Sequence, residues 1–517
     1  MTASTAIHEW RNLLTPVNRL PLDVLCLIPM HLASLNDLLR VTFVCRHWRR
    51  TFLQHAALWS QLYLTGRMNR LLVNTLLRRV KRSPLDITAD YCESPIRGVT
   101  LLSPFSQQIR SLELKLATPG EVQDLSVALS GPLPLLHTLD IDATRYPDDP
   151  VSLVAPTLPL FKNAANLKNF VLYIEEFPSL RHFTLFNLTT LDFSTCVNAY
   201  PVSELLDFLE ASPTLRWIRI LVEAYQFSED VPPGRIIVLP CVKTFSLDIT
   251  SYSPGCEIAT HISCPFAKHV EFAHEPESPG DYVPEAIYPS SAPWNAIVHQ
   301  YTKGTVEQVM LEMTMNEVFH IDCSITFRSS DNATLKLCYT HYNVDEEYEM
   351  EAILEERLPR ILSQAFQTIR DHPLLANVKH LHIRGGNLVG GNLKLVTNAA
   401  GRLFGFMGPL ENLTLDGCDL RPYLDAFLDT PLFPEVIQPA LFPPIKELAI
   451  INPVQSFCDK VYATAIVGLT RSQYTRGVPF ERVELRTTVP HLVIDELAAF
   501  VNTVEWDDET LSDVDES

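Results

Sequence analysis

From residue 84 onward the chain keeps returning to one short pattern of apolar-x-x-apolar-x-apolar. It occurs in IRSLELKL (109–116), LHTLDIDA (136–143), LKNFVLYI (167–174), LRHFTLFN (180–187) and LRWIRILV (215–222). It returns in VKTFSLDI (242–249), AKHVEFAH (267–274), VEQVMLEM (306–313), VKHLHIRG (378–385), LENLTLDG (410–417), IKELAIIN (445–452) and FERVELRT (480–487). The alternation places every second side chain on one side, which suits a short strand with one buried face. Many occurrences lie 25–35 residues apart. Several intervals carry a helical period, clearest at 202–209 and present again at 352–370, 459–471 and 494–504. One strand-turn-helix unit cannot bury its own apolar face. Stacking many would build a continuous core between a parallel sheet and an outer layer of helices. The expected fold class is α/β. Residues 275–345 fit the period worst, and PESPGDYVPEAIYPSSAPW reads there as a long loop.

Residues 20–62 follow a different period. Leu20, Val24, Leu25, Ile28 and Leu32 recur at helical spacing, and a turn is expected around 33–36. Asn36 and Asp37 can cap a second helix carrying Leu38, Leu39, Val41, Phe43 and Val44. A third segment holds Trp48, Phe52, His55, Leu58 and Trp59. Three helices this short bury too little surface to be stable alone. Their apolar face is therefore expected to meet either the rest of the chain or a partner.

In order and spacing, Leu20-Pro21-x-Asp23-Val24-Leu25, Ile28, Leu32, Asp37-Leu38-Leu39, Val44-Cys45-Arg46-x-Trp48-Arg49 and Leu58-Trp59 resemble the F-box. The resemblance implies docking on a Skp-type adaptor and, through it, on the cullin scaffold of a ubiquitin ligase. Leu20, Pro21, Leu25, Ile28, Leu32, Val44, Cys45, Trp48, Leu58 and Trp59 match the motif's apolar positions. Some of these would face the adaptor and others the box's own core. Pro29 departs from the pattern, since the family usually has a bulky residue there; a proline inside a helix costs about 3 kcal/mol and can kink or end it.

The strand-turn-helix recurrence in turn resembles the leucine-rich repeat, although its Asn/Cys ladder position is mostly missing. Together the two resemblances point to the fungal-type F-box proteins with degenerate leucine-rich repeats. They imply a three-helix F-box followed by a repeat solenoid with a parallel sheet and outer helices. The divisions expected are an N-terminal segment (1–19), the F-box (20–62), a basic helical linker (63–83), the solenoid (84–505) and an acidic tail (506–517). In such an array the residue between the last two apolar positions points out of the sheet. Glu113, Asp140, Asp142, Arg219, His382, Arg384, Asp416, Glu484 and Arg486 are the candidate contacts to a target protein. The same set also reads as a solvated sheet face.

Composition narrows the function classes. Of 517 residues 46% are apolar and 20% charged, so whole-chain disorder is excluded. A net charge of −20 argues against broad binding to nucleic acid or anionic lipid. The charge is uneven, with ten Lys/Arg and no acid between residues 40 and 82. That run ends in Arg78, Arg79, Lys81 and Arg82, which can complement a helix C-terminus or attract an acidic partner. No apolar run approaches the roughly 18 residues of a membrane span. Glu9 and Arg11 stand where a secretory segment would be apolar, so no signal peptide is expected. Eleven scattered cysteines without a CxxC pair read as reduced thiols of an intracellular protein, cytoplasmic or nuclear.

Chemistry is sparse. Gly386 and Gly391 have phosphate-loop spacing, but Asn392 and Leu393 replace its lysine and hydroxyl. Cys256, His261, Cys264 and His269 follow no structural zinc spacing. No GxSxG or HExxH occurs. No catalytic residue, metal or cofactor is expected. The sequence thus reads as a non-catalytic substrate-recognition subunit of a ubiquitin ligase. A scaffold without ubiquitin transfer, or an enzyme built on 275–345, are the alternatives.

Overall fold

The recurrent apolar segments fold as strands whose apolar positions share one side. The computed structural model describes residues 14–32, 35–65, 70–90, 101–115, 129–143, 164–176, 187–197, 202–222, 234–249, 255–274, 306–315, 321–341, 378–385, 410–418, 445–453, 460–487 and 491–506, with 397, 400, 403, 404, 420, 423, 424 and 489 as single positions. The architecture is mixed α/β, with helices at the N-terminus and mostly parallel sheet thereafter. The chain divides into two compact units, Met1–Val242 and Lys243–Ser517.

The first unit opens with α1 (Leu22–Met30), α2 (Leu35–Val41), α3 (Arg46–Gln54) and a 3-10 turn at Ala56–Trp59. Then come β1 (Gln61–Thr65), α4 (Arg70–Val80), β2 (Leu85–Asp90), β3 (Ile109–Lys115), β4 (Thr138–Ala143), β5 (Asn169–Glu176), β6 (Thr190–Val197), α5 (Val202–Glu210) and β7 (Trp217–Val222). β1 to β7 pair in chain order, each parallel to the next. Register lines up two apolar files. One runs Leu62, Ile87, Leu112, Leu139, Phe170, Leu191, Ile218, the other Leu64, Ala89, Leu114, Ile141, Leu172, Phe193, Ile220. None of these side chains is more than 3% exposed. The intervening positions carry Tyr63, Thr88, Glu113, Asp140, Val171, Asp192 and Arg219, so the opposite face is mostly polar.

Two expectations shift here. The strand beside β5 is Thr190–Val197, whereas most of the expected segment at 180–187 lies outside the described residues. Leu191 and Phe193 take the buried places because they fall in register with Phe170 and Leu172. Asn36 and Asp37 lie inside the first turn of α2, which starts at Leu35, and Asp37 pairs with Arg40 at 3.1 Å.

The second unit holds β8 (Thr244–Ile249), α6 (Gly255–Thr260), β9 (His269–His274), β10 (Val306–Met315), β11 (Ile321–Ser329), β12 (Thr334–His341) and β13 (His380–Gly385). β14 (Asn412–Asp416), β15 (Glu447–Ile451), α7 (Lys460–Thr475), β16 (Arg482–Arg486), α8 (His491–Ala498) and β17 (Thr503–Trp506) complete it. The stretch that fits the period worst contains a meander. β10, β11 and β12 are successively antiparallel, β12 runs parallel to β9, and β10 runs parallel to β13. The order across the sheet is therefore β8, β9, β12, β11, β10, β13 and on to β17, with β11 reversed. A tight turn can only send the chain back antiparallel. After β11, Asn332 takes a left-handed φ of 62° and the Ser329 N–H donates to the Ala333 carbonyl at 3.0 Å. The Ser329 hydroxyl and the Ala333 N–H donate to Asp331, holding its carboxyl below the usual range. The buried file still crosses the meander through Val270, Leu335, Phe327, Val309 and Leu381.

The helical expectation at 494–504 is corrected as well. α8 stops at Ala498, and Val504 and Trp506 extend the sheet beside Val483 and Leu485. The helical period at 352–370, the loop at 276–294, the glycine-rich segment at 386–393 and the tail from 507 lie outside the described residues.

α7 ends in a Schellman turn: the Val478 N–H donates to the Gln473 carbonyl at 3.1 Å, with Gly477 at φ 76°. A Cβ there meets nothing within 4 Å, so only the backbone conformation penalises a side chain. Gly477→Ala is expected to cost about 1 kcal/mol, read as a lower denaturant midpoint with an unchanged slope.

Candidate protein-docking site

The N-terminal helices sort the apolar motif positions into two groups. Leu25, Leu58 and Trp59 are buried, with Cys26, Leu38 and Phe52 around them. The Trp59 indole N–H donates to the Phe52 carbonyl at 2.8 Å, and the Arg79 guanidinium lies 4.5 Å from its ring centre. Burial lowers the pKa of Arg79. Lys81 Nζ donates to the Gln54 carbonyl at the end of α3. The basic run thus supplies two residues to the helices' own packing, while Arg78 and Arg82 are exposed.

Leu20, Pro21, Ile28 and Val44 are exposed, and Leu32, Cys45 and Trp48 half-buried. Cys45 caps α3, its Sγ accepting the Trp48 N–H at 3.5 Å. The Trp48 indole donates to Asn18 and its ring meets Phe52 edge-on. Leu22 and Leu27, outside the expected motif positions, are 54% and 50% exposed, and Phe43 and Val44, expected on the second helix, lie beyond its end at Val41, with Phe43 70% exposed. Val24, Leu27 and Ile28 form an outward stripe of α1 at i, i+3 and i+4, with Leu20 exposed on the extended backbone just before the helix, while Leu25, Cys26 and Pro29 turn inward. Apolar residues occupy both sides of α1, so periodicity alone could not tell the buried side from the exposed one. Phe43 stands in the turn between α2 and α3, with the Arg49 guanidinium 5.0 Å from its ring centre. Pro29 lies in the last turn of α1, cannot donate to the Leu25 carbonyl, and is followed by the helix end at Met30.

The candidate target contacts lie on the polar sheet faces. In the first unit Glu113, Asp140, Val171, Asp192 and Arg219 align across β3 to β7, with Asp142 one step along β4. Thr88 donates to Glu113 at 3.1 Å. Tyr173 donates to Asp192, and its hydroxyl is pushed up to about 12, by burial first and then by that carboxylate. Burial also raises the Asp192 pKa against the opposing effects of Tyr173 and Arg219. Asp192 was missed because its strand was not expected at 190–197, although Leu191-x-Phe193 carried the signal.

Asp140 is pushed up to about 6, by burial first and then by Glu113, Asp142 and Asp192, with Lys115 opposing. The folded state therefore binds this proton more tightly than the unfolded chain. The resulting destabilisation is complete above about pH 6 and fades as pH falls toward the unfolded value near 4. Asp140→Asn is expected to stabilise the chain at about pH 8 by roughly 1 kcal/mol, allowing for solvent screening, and to change nothing at about pH 4. Urea midpoints of both proteins across that range check it.

In the second unit Arg384 reaches Glu312 at 3.0 Å and Asp416 at 3.5 Å. Glu484 accepts from Arg482 at 3.1 Å and from Arg486 at 2.6 Å. His382 Nε2 lies 3.9 Å from Asp416, and burial lowers its pKa despite that carboxylate. A cavity of about 310 Å3 opens over Thr414 and Ala449 beside His382 and Glu484. Its charged walls are largely paired, so this face suits polar recognition.

Among the described residues no His/Cys/Asp/Glu group is placed to hold a metal ion. Cys264 is buried, and His269 Nδ1 lies 2.9 Å from the Thr334 hydroxyl. No helix among those residues is long and apolar enough to cross a membrane. No curated protein matches the chain. Residues 17–65, which hold α1 to α3 and β1, match the F-box-like family, so the chain carries an F-box-like domain, a kind that typically binds Skp-type adaptors.

Proposed function

We propose that this chain is a substrate-recognition subunit of a Skp–cullin–F-box type ubiquitin ligase. The observation that carries the reading is the F-box-like match over 17–65 on helices with an outward apolar stripe. An apolar stripe on so small a domain is costly in water unless a partner covers it. In this reading Leu20, Val24, Leu27, Ile28, Phe43 and Val44 bury against the adaptor, while Leu25, Leu58 and Trp59 hold the box together. The sheets beyond are degenerate leucine-rich repeats forming a solenoid, and their polar faces hold the target protein. The chain contributes no chemical group; it raises the concentration of target lysines near the ubiquitin-loaded enzyme. Such work places it inside the cell, with a Skp-type adaptor, a cullin and a target as partners.

Pro29 favours a second reading, an interaction scaffold that transfers no ubiquitin, because it shortens α1 beside the docking stripe. Co-expression with a Skp-type adaptor followed by size-exclusion chromatography tests the first step. Co-elution one-to-one, followed by adaptor-dependent recruitment of a cullin, supports the ligase reading. A folded chain that elutes alone supports the scaffold.

A further inference from the structure

Ahead of each strand from β4 to β7, one residue extends the backbone ladder by a rung. The His137 N–H donates to the Arg110 carbonyl, Lys168 to His137, Thr189 to Lys168 and Arg216 to Thr189, at 2.8–2.9 Å. Arg110, His137, Lys168, Thr189 and Arg216 thus stand in file, each rung about 4.8 Å from the next. The file contains no carboxylate. Its counterpart in the second unit runs Glu307, Lys379, Glu411, Lys446 and Glu481, through the same bonds at 2.7–2.9 Å. There acids and lysines alternate, and Lys446 meets Glu411 at 3.3 Å. Lys446 is thus neutralised by the neighbouring rung, whereas Lys168 and Arg216 have no carboxylate on theirs; at the starts of β8, β9 and β12 the second unit repeats the acid-free form as Lys243, Lys268 and Thr334.

Arg110 is taken by Asp86. Lys168 and Arg216 are exposed and have no ion-pair partner among the described residues. Both line a cavity of about 310 Å3 together with Asn166, Asn187, Thr189 and Thr214. The threonine hydroxyls donate to the Lys168 and Leu188 carbonyls, and each asparagine amide gives one N–H to a backbone carbonyl. The walls are fixed and neutral. The uncommitted donors are the ammonium, the guanidinium and the second N–H of each amide.

We propose that this ridge binds an acidic protein segment in the polyproline-II conformation, with carboxylates three residues apart on one side. Two rungs put Lys168 and Arg216 about 10 Å apart, close to the roughly 9 Å of one three-residue turn of polyproline II, in which residues i and i+3 share a side. The ligand chemistry is the one the second unit supplies to itself, a carboxylate at a lysine rung. Nucleic acid fits less well, because the chain's net charge of −20 repels a polyanion outside the ridge. The site uses no residue of the adaptor-docking stripe, so it stands or falls apart from the ligase reading.

The test uses the purified full chain and a fluorescent synthetic peptide with glutamate at every third position and proline between, which holds the glutamates on one side of a polyproline-II helix. Its glutamine and lysine counterparts serve as controls. The glutamate peptide is expected to bind, more weakly as salt rises, and the glutamine peptide about tenfold less well. Lys168→Glu/Arg216→Glu alters exposed side chains only, and circular dichroism verifies its fold. That variant is expected to lose the glutamate peptide and gain the lysine peptide. Alkylation of the exposed Cys241 thiol on the cavity wall should slow when the glutamate peptide is present. Equal binding of the glutamate and glutamine peptides, undiminished binding by the charge-reversed variant, or no binding at low salt would each overturn the proposal. So would capture of a singly phosphorylated peptide in place of the glutamate one, which would make the cavity a phosphate site. Adaptor co-elution measured on the same samples is unaffected in every case.

Discussion

Trp59→Ala is expected to lower the stability of the first unit by about 3–5 kcal/mol, the largest single loss among the N-terminal positions. The side chain is fully buried, so truncation removes its transfer free energy and leaves a cavity that the surrounding helices fill only in part. Two further losses come with it. The Phe52 carbonyl loses the indole N–H that satisfies it at 2.8 Å, and Arg79 loses the ring it packs against. Since Arg79 belongs to α4, the damage passes from the three short helices to the segment between β1 and β2. Trp48→Ala makes a useful contrast. Trp48 is half-buried, so a smaller loss, about 1–2 kcal/mol, is expected there. Urea unfolding followed by tryptophan fluorescence should show an early transition in the Trp59 variant and only a modest midpoint shift in the Trp48 variant. Equal shifts would mean that Trp59 is not the keystone its burial implies.

What was legible in the sequence follows from where the information sits. A strand with one buried face writes its period into every second residue, so most apolar-x-x-apolar-x-apolar segments mark real strands. β1 and β2 are shorter in signal: QLYLT and LDITAD alternate, but Ala89 supplies little hydrophobic contrast. β6 at 190–197 was not among the expected segments although TLDFSTCV alternates, and its pairing with β5 is what marks it as a strand. The reversal of β11 has no local mark except the Ser329–Ala333 turn chemistry, since direction within a sheet is decided by neighbours rather than by period. For the docking stripe, composition marked α1 as apolar without marking its outward side. Four rungs of the acid-free ladder stand in the sequence as the second residue of the segments at 109, 136, 167 and 215; the Thr189 rung between Lys168 and Arg216 was hidden because its strand was not expected there.

The second large effect concerns that outward side. Ile28→Asp/Val44→Asp is expected to weaken binding of a Skp-type adaptor about a hundredfold or more while leaving the unfolding midpoint nearly unchanged. Ile28 is 36% exposed and Val44 62%, so neither supports the core that Leu25, Phe52 and Trp59 form. In an interface the same side chains would be desolvated, and a carboxylate buried there without a partner carries a penalty of several kcal/mol. A hundredfold corresponds to about 2.7 kcal/mol, well within that penalty. The separation of the two effects is what gives the pair of predictions its force. Trp59→Ala removes binding by unfolding the box, whereas the aspartate pair removes it with the box intact. Isothermal titration with a Skp-type adaptor, alongside urea unfolding of the same samples, reads both quantities. If the aspartate variant binds as tightly as the parent, the exposed stripe of α1 and the Phe43–Val44 turn are not the adaptor face. The apolar surface would then have to be covered by something other than the adaptor.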